Sequence, residues 1–468
     1  MIPRLAVSLI LAIAMGFVLT SEVVLTGGKE RRYSLVLAGS LAVGFGFGIA
    51  ACAFFLWAVL LGPDHRGLVL FEVALLVGLI AARLYTWRAD HQDRWSPRLG
   101  SGAPSPSWVF RAGLSASLVV SASLFMVTAL RDPHGGWDAW MTWNVMARFL
   151  FRGGDHWQDA FSSSFRHPDY PLLLPGIVAR SWDYAGSDTV VAPATVAMLF
   201  TFATIALAGS SLALLRTTRQ AVLAVVVLLG TQFLITHGAS QYADVPLGFF
   251  MLATTVLVFL HDRASGQSRG VVALAGAAAA FAAWTKNEGL LFLASVIVAR
   301  CAVLWKQRRW QGALNDLGGF TLGLAPVLGI LVYFKLALAP SNDLMSGQGS
   351  SGTLVRLLDF QRYVEVGRLF MGGVRQLGDN GLLSAVPVLL AYLLCVGVKV
   401  DVVDRRAVGT ALVTLALVLG GYVLVGLTAP DDYIRLLKSS VDRLLLQLWP
   451  AAVFTCFMIA CPSEEATG

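Results

Sequence analysis

The chain has 468 residues, of which 56% are hydrophobic and only 13% charged, with a net charge of +7 and a mean hydropathy of +0.70. A soluble globular domain carries roughly 25% charged residues, so this composition excludes a water-soluble enzyme. It also argues against a nucleic-acid partner, because the basic residues sit in short loops between apolar runs, where they suit membrane orientation and contact with anionic lipid.

A bilayer core of about 30 Å needs roughly 20 apolar residues per helix. The first such run follows Arg4 and continues to about Leu25 without a small-residue cleavage site, so it reads as a retained helix. Further spans are predicted near 34–61, 68–86, 109–130, 190–215, 221–237, 246–260, 271–284, 289–305, 315–337, 381–398, 407–427 and 445–461. The expected fold is an all-α, polytopic bundle of about thirteen spans. Residues 1–108 read as an N-terminal helical module and 109–468 as the functional core, with large loops at 131–188 and 339–380. Gly44 with Gly48, and Gly319 with Gly323, form GxxxG pairs that mark close helix packing. The five cysteines lie in or beside apolar runs, lack metal-ligand spacing and read as small buried hydrophobes.

Every second loop is basic: Lys29 to Arg32, Arg88 to Arg98, Arg216 with Arg219, Arg263 with Arg269, Lys306 to Arg309, and Lys399 to Arg406. Placing these on the cytoplasmic side of a cell's inner (plasma) membrane puts the N-terminus outside and the C-terminus in the cytoplasm. The alternate, outer loops then carry the polar clusters. The flexible Gly/Ser stretch Ser346–Gly352 also falls outside, where it would act as a lid.

Five clusters could carry chemistry. Gly135-Gly136-Trp137-Asp138 precedes a tryptophan-rich interfacial helix; Asp138 is either a helix cap beside an aromatic belt or a base for an incoming hydroxyl. In Arg166-His167-Pro168-Asp169-Tyr170-Pro171, His167 is a loop histidine, proton shuttle or metal ligand, and Asp169 a loop residue or a sugar-positioning acid. Tyr242-Ala243-Asp244-Val245-Pro246 opens a span, with Asp244 near membrane depth as cap or functional acid. Lys286-Asn287-Glu288-Gly289 is a short turn between two apolar runs, where Lys286 and Glu288 pair or Lys286 meets a phosphate. Arg443 enters the last span, either snorkelling or clamping a phosphate.

In order and spacing these residues resemble the GT-C superfamily of lipid-linked glycosyltransferases. The likeness is to bacterial members of family 39, relatives of protein O-mannosyltransferases and aminoarabinose transferases. It covers residues 109–461 and rests on Trp137-Asp138, on His167 to Leu173, on Tyr242 to Leu247, on Thr285 to Leu290 and on Arg443-Leu444-Leu445. The resemblance implies a polyprenyl-phosphate-sugar donor, a glycan, lipid or protein acceptor, and inverting transfer on the non-cytoplasmic face. It implies that Asp138 is the catalytic residue and that Lys286 and Arg443 bind the donor phosphate. No cofactor is expected: two cations can serve a monophosphate leaving group, and a divalent metal is compatible with the acids but not required. The sequence departs from the family where Ala139 follows Asp138 in place of a second acid, and in the extra spans before residue 109. The competing classes are a transporter or lipid flippase, which would place polar groups at mid-membrane on broken helices, and a polysaccharide polymerase or ligase of another fold.

Overall fold

The computed structural model describes residues 1–25, 31–62, 65–89, 108–165, 167–264, 268–306, 310–340, 350–377, 384–429 and 432–461. Among them all regular secondary structure is helical, apart from one isolated bridge between Val398 and Ala460. The helices run α1 (Ile2–Val24), α2 (Arg31–Leu61), α3 (Leu68–Ala89), α4 (Trp108–Arg131), α5 (Asn144–Arg152), α6 (Leu173–Ala185), α7 (Val191–Leu215), α8 (Thr218–Gly230) and α9 (Gln232–Ala239). They continue with α10 (Asp244–Arg263), α11 (Arg269–Thr285), α12 (Asn287–Lys306), α13 (Trp310–Tyr333), α14 (Ser350–Leu358), α15 (Phe360–Gln376), α16 (Ala385–Val396), α17 (Arg405–Thr428) and α18 (Tyr433–Ile459).

Among the described residues, ten helices are long and apolar enough to cross a membrane, or eleven if α8 and α9, bent by 59°, make one broken span. The expectation of about thirteen is therefore too high by length. It counted α11 and α16, which are apolar but only 17 and 12 residues long. It also took 221–237 as one straight span. The backbone leaves the helix at Thr231, which is fixed there because Trp449 Nε1 donates to its hydroxyl at 3.0 Å. The last helix begins at Tyr433, well before the apolar run that announced it at 445, because its first turns are mostly polar and bury only Leu437 and Val441.

Small residues set the packing, as expected where lipid supplies no hydrophobic drive between helices. A Cβ on Gly44 would strike the Phe249 ring, one on Gly48 the Phe281 ring, and one on Gly323 the Ala273 carbonyl at 1.8 Å. Helix α2 is thereby drawn against α10 and α11, and α11 against α13. Helix α10 is the axis of the bundle, with 94% of its apolar window buried.

Residues 173–185 were expected in a polar loop. They form α6, which is almost wholly buried because its one cation is neutralised. Arg180 forks onto Glu72 of α3, Nε to Oε1 at 2.5 Å and Nη2 to Oε2 at 2.6 Å, and its Nη1 donates to Ser8 Oγ of α1 at 2.8 Å. Both ionic side chains are fully buried. Glu72 is thus one half of a structural clamp that joins α1 and α3 to α6. Replacing Arg180 with alanine strands the Glu72 charge, and such losses cost about 3–5 kcal/mol. Thermal unfolding of the purified variant should show a large drop in midpoint, and Glu72→Ala a similar one.

The helices alternate in direction, so charged groups gather at two ends. One end holds Arg216, Arg263, Arg300, Asp316 and Asp404. There Arg263 forks onto Asp404 with two contacts of 2.8 Å. Arg300 bridges Asp262 and Asp316, and His261 Nε2 meets Asp316 at 3.0 Å. The opposite end carries the clusters singled out above.

Candidate active site

Asp138 follows two glycines that the fold needs. Gly135 has φ +78, and a Cβ on Gly136 would lie 2.6 Å from the Tyr242 hydroxyl. The loop is bolted to the α9–α10 connection. Gly136 N donates to Ser240 O at 3.0 Å, and buried Gln241 donates to Pro133 O at 3.2 Å while accepting from Asn144 Nδ2 at 2.9 Å. That grip holds Gln241 at φ +61, a left-handed conformation that costs a non-glycine residue free energy and needs such support.

Asp138 stands at the entry to a π-helical turn, Ala139–Trp143, and its side chain makes no capping hydrogen bond there. The carboxylate instead accepts from Arg443 Nη1 of α18. Both groups stay partly accessible, Asp138 at 32% and Arg443 at 21% of the side chain. The guanidinium also lies over the Tyr242 ring, 5.6 Å from its centroid, and the Tyr242 hydroxyl is 3.4 Å from Asp138 N. Arg443 Nε is buried and has no hydrogen-bond partner among the described residues.

A second group lies at the same end. Lys286 is the sole residue between α11 and α12, and its extended backbone (φ −161, ψ 156) turns the chain there. Gly289 makes the turn possible, since a Cβ there would meet the Ala282 carbonyl at 1.9 Å. Lys286 Nζ is 2.9 Å from Asp244 Oδ1 and 2.9 Å from Glu288 Oε1. Asp244 is 1% exposed and also accepts from Gln447 Nε2 at 2.5 Å, and Gln447 Oε1 in turn accepts from the Tyr422 hydroxyl at 2.6 Å. Asp244 is the first residue of α10 and not its cap, which is Ala243. Glu288 Oε2 is buried without a hydrogen-bond partner among the described residues.

Asp169 joins the same wall. Its Oδ2 accepts from Asn287 Nδ2 at 2.7 Å, and Lys335 donates to Asn287 Oδ1 at 2.7 Å and to the Asp169 carbonyl. His167, at φ +53, stacks on Tyr170 with centroids 4.7 Å apart, and Tyr170 stacks on Trp143 at 5.4 Å. Burial and the Lys286 ammonium lower the His167 pKa, against the pull of Asp169, Glu288 and Asp138. The unfolded chain therefore binds this proton more readily than the native one. Stability is lost as pH falls below the ordinary histidine value of about 6.5 toward the depressed folded value. His167→Gln should lose less melting temperature than the parent between pH 7 and pH 5.

The eight residues expected from the sequence gather at this end of the bundle in two linked groups. Asp138, Arg443 and Tyr242 form one part, and Asp244, Lys286 and Glu288 the second. Asp169 is tied to the second through Asn287, and His167 joins by stacking. Sequence reasoning passed over Lys335, Asn287, Gln447 and Tyr170. Asn287 and Tyr170 lie inside the quoted motifs, where uncharged or aromatic character hid them, and Gln447 lies two residues past Arg443-Leu444-Leu445. Lys335 looked like the frayed end of an apolar run.

Of the expected Gly/Ser lid, residues 346–349 lie outside the described residues, and Ser350, Ser351 and Gly352 open helix α14. Among the described residues, one trio has metal-type ligand atoms within 4.8 Å of one another: His261, Asp262 and Asp316. It sits at the other end of the bundle, and Arg300 already bridges its carboxylates.

Cations and acids brought together from five distant segments, partly shielded from water, can bind a phosphate and accept a proton from a neighbouring hydroxyl. Residues 162–334 match the family model described as dolichyl-phosphate-mannose-protein mannosyltransferase. The match includes His167, Asp169, Tyr242, Asp244, Lys286 and Glu288 and stops short of Asp138 and Arg443. No curated protein and no solved structure matches the chain.

Proposed function

We propose, because the chain carries a domain of the dolichyl-phosphate-mannose-protein mannosyltransferase family, a GT-C family of membrane glycosyltransferases, that Asp138 and Arg443 form its reaction centre. The protein moves a sugar, in that family mannose, from a polyprenyl phosphate to an acceptor hydroxyl. The observation that carries this reading is the pairing of Asp138 with Arg443, at the bundle end that also holds Lys286, Asp244 and Glu288.

The chemistry follows from the pair. In the resting pair the Asp138 carboxylate is occupied by Arg443. The donor's phosphate competes for Arg443, whose Nε offers a further donor, and this frees the Asp138 carboxylate. Asp138 then accepts the proton of the acceptor hydroxyl as that oxygen bonds to the anomeric carbon. The bond from that carbon to the phosphate oxygen breaks, and its electron pair leaves with the polyprenyl phosphate. One carboxylate acting on one face inverts the configuration through an oxocarbenium-like transition state. Arg443 and Lys286 stabilise the growing phosphate charge. Asp169, Asp244, Glu288, His167 and Tyr242 hold these groups and the sugar. The first three helices serve as a scaffold behind the loop, through Arg180.

Orientation supports an extracytoplasmic site in a cell's plasma membrane. The end opposite Asp138 carries Arg216, Arg219, Arg263, Arg269, Arg405 and Arg406, as cytoplasmic loops do. A transporter would keep polar groups at mid-membrane available to its cargo, whereas the buried acid Glu72 is engaged by Arg180 and Tyr184. Purified full-length protein in detergent should release mannose from polyprenyl-phosphate mannose when an acceptor is present. Mass spectrometry of envelope glycans should show a mannosylated species that is lost when the protein is absent. Failure of the purified protein to consume the donor under any acceptor would overturn the reading.

A further inference from the structure

A pocket of about 240 Å³ opens beside the reaction centre, lined by Gln232, Phe233 and Thr236 of α9, Gln376 and Leu377 at the end of α15, and Asp442 of α18. Asp442 is the neighbour of Arg443 in the chain. From the other wall, rings lead toward the catalytic acid. Phe233 packs on His237 with centroids 4.2 Å apart, His237 on Tyr242 at 4.9 Å, and the Tyr242 hydroxyl is 3.4 Å from Asp138 N. His237 Nε2 is buried and lacks a hydrogen-bond partner among the described residues, so this row holds an unfilled polar site.

We infer that this pocket is the acceptor subsite and that it takes a saccharide. The inference rests on the glycosyltransfer reading and adds the chemical class of the acceptor. Four of the six lining residues offer hydrogen-bonding side chains, two amides, a hydroxyl and a carboxylate, while Phe233 offers a ring face. Amides and a carboxylate bind vicinal hydroxyls, and an aromatic face covers the apolar side of a pyranose ring. The lining contains no cation, so an anionic lipid headgroup lacks its natural partner there. The walls are side chains of three helices with no strand edge, so an extended peptide finds no backbone ladder to join. The volume lies below the roughly 300–1,000 Å³ of sites for drug-sized ligands, a size for one sugar ring at the end of a longer glycan. A saccharide seated on Phe233 lies at the start of the row of rings, His237 and Tyr242, that ends at Asp138, while the donor phosphate engages Arg443.

The test uses purified full-length protein, polyprenyl-phosphate mannose as donor and methyl α-D-mannopyranoside as the probe acceptor. A serine- and threonine-containing peptide is the rival. The glycoside should speed donor consumption and emerge as a disaccharide. Phe233→Ala and the exposed-site variant Gln376→Ala should each raise the KM for the glycoside about ten-fold, with the donor KM moved less than about two-fold. Unchanged glycoside KM in both variants would overturn the inference and leave the glycosyltransfer reading standing. So would mannosylation of the peptide with none of the glycoside. A parent protein that consumes no donor with either acceptor would sink that reading, and this inference with it.

Discussion

Asp138→Asn is expected to fold as the parent does and to lose about 10²–10⁴-fold in transfer rate, the usual contribution of a positioned general base. The substitution keeps the size of the side chain and an oxygen facing Arg443. It also keeps the neighbouring grip of Gly136 on Ser240 and of Gln241 on Asn144 and Pro133. What it removes is the carboxylate charge of a side chain that pairs with Arg443 and remains 32% accessible. Asp244 cannot substitute, because it is 1% exposed and committed to Lys286 and Gln447. Steady-state transfer, with unfolding midpoints measured beside it, separates loss of chemistry from loss of structure. A variant with parental rate would remove Asp138 from the mechanism.

Lys286→Met is expected to act on stability and activity together. Two carboxylates, Asp244 and Glu288, share the single Lys286 ammonium at 2.9 Å each. Without it, among the described residues Asp244 keeps only the neutral amide of Gln447 as a side-chain hydrogen-bond donor. Breaking a buried pair by removing one partner costs about 3–5 kcal/mol. That is a large share of the roughly 5–15 kcal/mol by which folded domains exceed their unfolded states. Adding Asp244→Asn to Lys286→Met removes the stranded charge and should recover much of the melting temperature. Transfer should stay low, because the proposed phosphate cation, Lys286, is still missing. A double-mutant cycle on both observables makes the distinction. Parental melting of Lys286→Met, or transfer restored in the double variant, would contradict the assigned role.

The membrane fold was readable because lipid forces each crossing to be a self-satisfied helix, which writes long apolar runs into the sequence. Reading failed where length and composition give mixed signals. Helix α6 carries Arg180 and looked like loop, since its partner Glu72 is 108 positions away. The bend between α8 and α9 depends on Trp449, more than two hundred positions from Thr231. The site residues were visible as polar groups placed at the ends of apolar runs, where a charge is costly unless it has work to do. Their pairing was not visible. Asp138 and Arg443 lie 305 positions apart, and nothing local says which of Lys286, Lys335 and Arg443 meets which acid. Lys335, which holds Asp169 and Asn287, gave no sign beyond a single basic residue at the edge of a span.

The sharpest test is the binding and fate of polyprenyl-phosphate mannose on purified Asp138→Asn. If one guanidinium serves the carboxylate and the phosphate in turn, removing the carboxylate's charge leaves Arg443 free for the lipid. The variant should then bind the donor at least as tightly as the parent and hold the sugar unreleased. Weaker binding, or release of mannose at the parental rate, would contradict the account.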